Sequence, residues 1–135
     1  MIFDHIGLFV ADLKVGREKL SAILPINDFT EEVDDHVLRV RIQFGTDSSG
    51  IRYELVAPFG DDNPVSGVLK SGKNVLNHVA YRVPDLEQAM AVMTAQDAIP
   101  LGSPLPAKAF GGRRVVFFYT SLKFIVELIE EVPSK

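Results

Sequence analysis

The sequence predicts an α+β fold in which two tandem β-α-β-β-β modules form a cupped mixed sheet with helices on its outer face. The chain repeats itself at an offset of 73 residues, since His5 and Glu54 recur as His78 and Glu127 (78 − 5 and 127 − 54). Each copy also shows the same order of strand-like and helix-like patterns. Because solenoid repeats span only about 20–50 residues, this longer period indicates two copies of a supersecondary unit.

In the first module, residues 2–10 alternate and are rich in branched and aromatic side chains, which predicts a strand. Asp12 is placed to cap a helix that runs from Leu13 to about Leu24, before Pro25. Further strands are predicted at residues 28–34, 37–44 and 51–57.

The second module repeats this order after a connector with one helical turn near residues 65–69. A strand is predicted at residues 76–83, and Asp85 caps a helix that ends near Gln96. The remaining strands are predicted at residues 99–106 (broken by prolines), 112–120 and 124–130. We therefore predict a single domain over residues 1–135, with module 1 at about 1–60, the connector at 61–73 and module 2 at about 74–132.

Composition narrows the classes of function. The chain has 135 residues, 47% of them hydrophobic and 24% charged, and a net charge of −4 that argues against nucleic acid as a partner. It has no cysteine, which excludes disulfide and thiolate chemistry. No apolar run is long enough for a membrane span, and the first residues lack the basic region of a secretory signal. We expect a cytoplasmic protein with no membrane partner.

Strand alternation places the four repeated His and Glu side chains on the sheet face opposite the helices. Two residues beyond each histidine the side chain is small, Gly7 in one module and Ala80 in the other, which leaves room for a bound molecule. A lone mid-strand glutamate could instead face water at a sheet edge or pair with Arg39 or Arg52, but the doubled pattern favours metal binding. Imidazole and carboxylate together suit Co, Ni, Zn, Mn or Fe. The sequence predicts one divalent metal ion bound by His5, Glu54, His78 and Glu127.

Paired modules with this His, Glu, His, Glu order resemble the vicinal oxygen chelate superfamily, which includes glyoxalase I, methylmalonyl-CoA epimerase, extradiol dioxygenases and bleomycin-type resistance proteins. The runs GVLKSGKNVLNHVAYRV (67–83), GGRRVVFF (111–118) and FIVELIEE (124–131) look most like methylmalonyl-CoA epimerases. The resemblance to these epimerases also implies that His5, Glu54, His78 and Glu127 are the four metal ligands. Asn77 departs from it, because epimerases usually have a histidine there, and the first helix lacks their FYxxxLG element.

The resemblance implies a metal-dependent epimerase or isomerase that removes a proton from a small carbonyl or acyl-thioester substrate and stabilises an enolate-like intermediate. The EEV at 31–33 resembles a segment with a proton-transfer glutamate, so Glu32 (or Glu31) and Glu127 are the candidate catalytic carboxylates. Arg114, Phe117 and Asn77 are predicted to contact the substrate. Arg114 is the second arginine after two glycines, a setting in which loop amides and a guanidinium can bind a carboxylate or phosphate. A plain turn with two solvated arginines is the alternative.

Two other functions stay open for this pattern. One is a glyoxalase I-type lyase, similar to lactoylglutathione lyase, and the other is a non-catalytic ligand-binding or resistance protein of the same fold. A dioxygenase is disfavoured because those enzymes generally use three protein ligands. The expected partners are a small-molecule substrate, with a CoA or carrier thioester as one form of it, and a second copy of the chain in a homodimer.

Overall fold

The computed structural model describes residues 1–131, so the predicted end of module 2 at residue 132 and the tail after it lie outside the described residues. The chain divides into two compact units. The first unit comprises residues 5–77, and the second unit comprises residues 1–4 with the residues from 78 onward. The predicted α+β class, with mixed strand pairing and helices in two related modules, is confirmed.

The elements of the first unit are β1 (Ile2–Phe9), α1 (Leu13–Ile23), β2 (Ile26–Phe29), β3 (Val33–Asp35), β4 (Val40–Asp47), β5 (Arg52–Pro58) and α2 (Ser66–Ser71). Four of the strands follow the order β2-β4-β5-β1, and β3 pairs with β4. β1 and β5 are parallel, whereas β4 is antiparallel to β2, β3 and β5.

Helix α1 begins where the sequence predicts, because the Asp12 side chain accepts a hydrogen bond of 2.9 Å from the Val15 backbone N–H. Its buried residues Leu13 and Leu20 pack against one face of the sheet. The buried partners on that face are Ile26, Leu55 and Ala57. The opposite face of β5, which carries Glu54, is therefore the face turned away from the helix.

Two strand predictions in this unit are wrong. Residues 28–34 are not one strand, since β2 ends at Phe29 and β3 begins at Val33, and β4 begins at Val40 rather than at residue 37. The buried Asp35 carboxylate accepts hydrogen bonds from the backbone N–H groups of Val37 (3.0 Å) and Leu38 (2.9 Å). These bonds hold the chain in a turn rather than in an extended strand.

The second unit repeats this arrangement. Its elements are β6 (Leu76–Val83), α3 (Leu86–Ala95), β7 (Ile99–Pro100), β8 (Leu105–Pro106), a 3-10 helix (Lys108–Phe110), β9 (Arg114–Tyr119) and β10 (Ile125–Glu130). The strand order is β6-β10-β9-β7, with β8 also paired to β9, and β10 is parallel to β6 but antiparallel to β9.

Helix α3 also begins at its predicted cap, since the Asp85 side chain accepts a hydrogen bond of 3.0 Å from the Gln88 N–H. Leu86 at its start is buried in an apolar core with Phe118 and Leu128, which lie on β9 and β10. Glu127, next to Leu128 on β10, therefore points to the opposite face. Among the helices of residues 1–131, none is long and apolar enough to cross a membrane.

Replacing either capping aspartate should destabilise the fold by a similar amount. Asp12→Ala and Asp85→Ala each leave a backbone N–H of a first helical turn without its side-chain acceptor, at a cost of about 1 kcal/mol. Urea denaturation followed by circular dichroism measures the change. Asp61→Ala, at an exposed connector position, is the control and should stay within about 0.5 kcal/mol of wild type. Equal midpoints for all three variants would contradict the capping assignment.

Candidate functional site

Glu54 lies on β5, the middle one of three neighbouring strands (β4, β5 and β1) in the first unit. It lies opposite Phe44 in the antiparallel pair β4–β5 and opposite Gly7 in the parallel pair β1–β5. Residues that lie opposite each other in a sheet project from the same face. The absence of a side chain at Gly7 leaves space beside the Glu54 carboxylate.

His5 completes this group from β1. Its Nε2 atom lies 3.4 Å from Glu54 Oε1, and its ring meets Phe44 edge-on with the ring centroids 5.4 Å apart. His5 is fully buried and Glu54 is only 4% exposed. A carboxylate at this depth is costly unless it is paired, hydrogen-bonded or coordinated. The histidine is one such partner.

The second unit builds the same group. Glu127 on β10 lies opposite Phe117 on β9 and opposite Ala80 on β6. His78 Nε2 lies 3.2 Å from Glu127 Oε1, and the His78 and Phe117 rings meet edge-on at 5.2 Å. Both the histidine and the glutamate are buried.

Each member of the first group corresponds to a member of the second at the offset of 73 residues. The matched pairs are His5 and His78, Gly7 and Ala80, Phe44 and Phe117, and Glu54 and Glu127. As predicted from strand alternation, the histidine and the glutamate of each unit lie on the sheet face opposite the helix. Phe44 was not among the predicted site residues, although the repeat aligns it with Phe117, which was.

Glu32, one of the candidate catalytic carboxylates, lies in the segment before β3 with its side chain 47% exposed. Its Oε2 atom is 3.8 Å from Arg17 Nη1 on α1, and the same Arg17 atom donates a hydrogen bond of 2.9 Å to Gln43. Gln43 lies opposite Leu55, which packs on α1. The structure therefore holds the Glu32 carboxylate towards the helix face, and its catalytic role stays a prediction.

Arg114, predicted to bind substrate, also lies on a helix face. Its guanidinium donates hydrogen bonds to Glu130 (3.2 Å from Nε to Oε1) and to Glu87 of α3 (2.8 Å). These bonds raise the pKa of Arg114 above its ordinary value, with Glu130 as the larger cause. Strand alternation puts Phe117 on the other face, beside His78. The structure brings Phe117 to the candidate site and places Arg114 in an ion pair away from it.

Asn77, the third predicted substrate contact, is buried next to His78 on β6. Its side-chain amide donates a hydrogen bond of 3.2 Å to the Asn74 carbonyl, which lies in the turn before the strand. This bond ties the start of β6 to that turn. A contact between Asn77 and a substrate stays a prediction.

Comparison with known proteins identifies the family. The family model of the glyoxalase/bleomycin resistance protein/dioxygenase superfamily matches residues 4–117, which is most of the chain. The chain belongs to this superfamily. The predicted relationship to vicinal oxygen chelate proteins is thereby confirmed.

Solved structures with the superfamily fold match nearly the whole chain. The hypothetical protein BH1468 from Bacillus halodurans C-125 has a TM-score of 0.81 at 19% identity, covering 98% of this chain and 96% of that one. Methylmalonyl-CoA epimerase from Mycobacterium tuberculosis has a TM-score of 0.77 at 23% identity, covering 97% and 88%. A Streptomyces coelicolor methylmalonyl-CoA epimerase variant in complex with 2-nitronate-propionyl-CoA has a TM-score of 0.76 at 20% identity, covering 98% and 99%. At these identities the likeness establishes the fold.

One relative found by sequence comparison is about as divergent from this chain as these structures are. The uncharacterized protein YqjC of Bacillus subtilis (strain 168) is 24% identical over 114 residues, which cover 84% of this chain and 79% of the relative.

The ion pair of Arg114 should be visible in the titration of Glu87. The hydrogen bond from Arg114 is the main cause that lowers the pKa of Glu87 below its ordinary value. The stabilisation from this pair is therefore present above the unfolded-state pKa of about 4.3 and is lost as the pH falls through the lower folded-state pKa. In Arg114→Gln, the pKa of Glu87 measured by NMR should rise towards its ordinary value. Arg113→Gln is the matched control, and an equal rise there would contradict the assignment.

Proposed function

We propose that this protein is a divalent-metal-dependent enzyme of the epimerase or isomerase type. It would remove a proton next to the carbonyl group of a small carbonyl or acyl-thioester substrate. The ligands of the ion would be His5, Glu54, His78 and Glu127, each of which offers one ligand atom. The observation that carries the proposal is the duplicated, buried His–Glu pair, one in each unit.

The geometry within each pair fits metal coordination. Two donor atoms about 2.1 Å from one ion, at angles of about 90–110°, lie roughly 3.0–3.4 Å apart. The His Nε2 to Glu Oε1 distances of 3.4 and 3.2 Å agree with this spacing. The first also exceeds the usual hydrogen-bond range of about 2.7–3.2 Å. Two imidazoles and two carboxylates form a donor set that Co, Ni, Zn, Mn or Fe accepts.

A divalent ion, when bound, supplies Lewis-acid chemistry that polarises a carbonyl oxygen and lowers the pKa of the neighbouring C–H group. The chain supplies the base, for which Glu127 and Glu32 are the two candidates. Phe44 and Phe117 border the histidines with apolar rings, and such rings exclude water from the reacting groups. Proton return to the opposite side of the same carbon would give epimerisation.

Complexes of structurally similar proteins support the thioester class of substrate. Methylmalonyl-CoA epimerases have been solved with methylmalonyl-CoA and with 2-nitronate-propionyl-CoA. Since this chain shares their fold at 20–21% identity, a CoA or carrier thioester is the first class to assay. The homodimer and the cytoplasmic location predicted from the sequence stay predictions.

Metal content gives a direct test of the four-ligand site. Wild-type protein loaded with Co²⁺ and desalted should hold one equivalent of metal by elemental analysis, and Glu127→Gln should hold close to none. Glu130→Gln is the matched control, since Glu130 lies on the same strand but is hydrogen-bonded to Arg114. It should keep the metal.

The same measurement separates one shared ion from two independent ions. If each His–Glu pair held its own ion, wild type would bind two equivalents and Glu127→Gln would keep one. Wild-type protein that binds no metal after loading with any of the five ions would overturn the proposed function.

The identity of the base can be tested by isotope exchange. With metal-loaded protein and methylmalonyl-CoA in D₂O, NMR should show deuterium entering the position next to the thioester. If Glu32 is the base, Glu32→Gln should slow exchange by roughly 100-fold or more, the usual contribution of a general base. Glu31→Gln tests the neighbouring alternative in the same way. If neither change slows exchange, Glu127 is the base of the two candidates.

Two results would redirect the proposal. Conversion of the methylglyoxal–glutathione hemithioacetal without exchange on the thioester would favour the glyoxalase I-type lyase. Ligand binding without turnover of either substrate would favour the binding or resistance protein.

A further inference from the structure

Three apolar side chains lie exposed along one edge of the second unit. They belong to β7, to the residue that follows it and to β8, and they are Ile99 (60% exposed), Leu101 (54%) and Leu105 (43%). A single exposed apolar side chain is common, whereas several neighbouring ones form a patch of the kind that marks a binding surface. These three residues are the apolar edge.

The strand register decides which sheet face the apolar edge shares. Its three residues lie opposite alternate residues of β9, in the pairs Ile99 with Tyr119, Leu101 with Phe117 and Leu105 with Val115. The second pair rests on a hydrogen bond of 2.8 Å from the Leu101 N–H to the Phe117 carbonyl, which continues the β7–β9 ladder by one position. Because alternate residues of a strand project from one face, the apolar edge lies on the face of Phe117.

That face leads to the candidate site within the same unit. Phe117 lies opposite Glu127, and Tyr119 lies opposite Ile125, which in turn lies opposite His78. Two straight rows of side chains therefore join the apolar edge to a proposed metal ligand, Leu101–Phe117–Glu127 and Ile99–Tyr119–Ile125–His78. Neighbouring strands lie about 4.8 Å apart, so the first row is roughly 10 Å long.

The backbone of this edge disfavours pairing with a strand of another chain. The N–H groups of Leu101 and Ala107 donate inward, to carbonyls of Phe117 (2.8 Å) and Arg113 (3.0 Å). Pro100 and Pro106, one position before each, therefore occupy outward-facing positions. Since proline has no N–H, the outer edge offers no donor at these two positions. The apolar edge is thus better suited to an apolar group that lies across the sheet face.

The corresponding edge of the first unit has a different character. At the offset of 73 residues, the positions of the apolar edge correspond to Ile26, Asp28 and Glu32. Ile26 is buried in the core with residues of α1, and the other two residues are acidic. The exposed apolar edge is therefore a property of the second module rather than a requirement of the fold.

We propose that the apolar edge is a substrate subsite that binds an aliphatic chain. This inference rests on the proposed function and names its substrate class: carbonyl or acyl-thioester compounds whose acyl part carries such a chain. From a carbonyl group beside Glu127, the chain would lie over Phe117 and reach Leu101, where both are shielded from water. An extended chain advances about 1.2 Å per bond, so about eight bonds span the row.

Two alkyl hydroxamates test the subsite, because a hydroxamate group binds a divalent ion through two neighbouring oxygens. The probes are acetohydroxamic acid and octanohydroxamic acid, and titration calorimetry measures their affinities for cobalt-loaded protein. Burial of one methylene group raises affinity by up to roughly fourfold, so wild type should bind the octanoyl probe about tenfold or more tightly than the acetyl probe. Leu101→Ser and Ile99→Ser should each lower this ratio by roughly three- to tenfold and leave the acetyl affinity unchanged.

Val92→Ser is the matched control, since Val92 is as exposed as Leu101 (54%) but lies on α3. It should keep the wild-type ratio. Equal binding of the two probes by wild type, or an unchanged ratio in both Leu101→Ser and Ile99→Ser, would overturn the subsite and leave the proposed function standing. An equal loss of affinity for both probes would also overturn it, because that result would assign the edge to the packing of Phe117.

Sedimentation velocity tests a second copy of the chain as the rival occupant. If wild type is a dimer and Leu101→Ser is a monomer, the second copy covers the apolar edge and the subsite is overturned. A sedimentation coefficient that Leu101→Ser leaves unchanged is the expected result. Wild-type protein that holds no cobalt would overturn both the subsite and the proposed function.

Discussion

The burial of one carboxylate beside one imidazole in each unit is the constraint on which the rest of the structure depends. Glu54 and Glu127 are nearly inaccessible to water, each in the middle of a strand. An isolated charge at such a position would cost several kcal/mol, so the surrounding residues have to hold a partner in place. The parallel pairs β1–β5 and β6–β10 do this, because they align each histidine strand with its glutamate strand.

The neighbours of the carboxylates follow from the same constraint. A large side chain at position 7 or 80 would lie directly opposite the glutamate, and these positions carry Gly and Ala. On the other side, Phe44 and Phe117 lie opposite the glutamates and bring their rings against the histidines. The apolar rings keep water away from the pairs and so strengthen electrostatic interactions within them.

The sequence predicted the parts of the structure that depend on local pattern. The helix caps at Asp12 and Asp85 follow from the preference for aspartate at the first position of a helix. The sheet face on which each repeated residue lies follows from strand alternation. The placement of Glu32 and Arg114 depends on partners that are distant along the chain, Arg17 in one case and Glu87 and Glu130 in the other. The turn after β3 could not be predicted from local pattern, because it depends on the Asp35 side chain accepting hydrogen bonds from two backbone N–H groups.

The two modules share the His–Glu pair and differ at other strand positions. The repeated residues supply the same His–Glu pair twice, so they can hold an ion but cannot orient an asymmetric molecule. Arg17 and Arg114 do not provide that asymmetry, because their contacts with Glu32 and Glu130 direct them to the helix faces. Arg52 lies on the Glu54 face, and its counterpart is Ile125. Duplication therefore accounts for the two matched His–Glu pairs, whereas divergence at single strand positions, such as Arg52 against Ile125, makes the two copies differ.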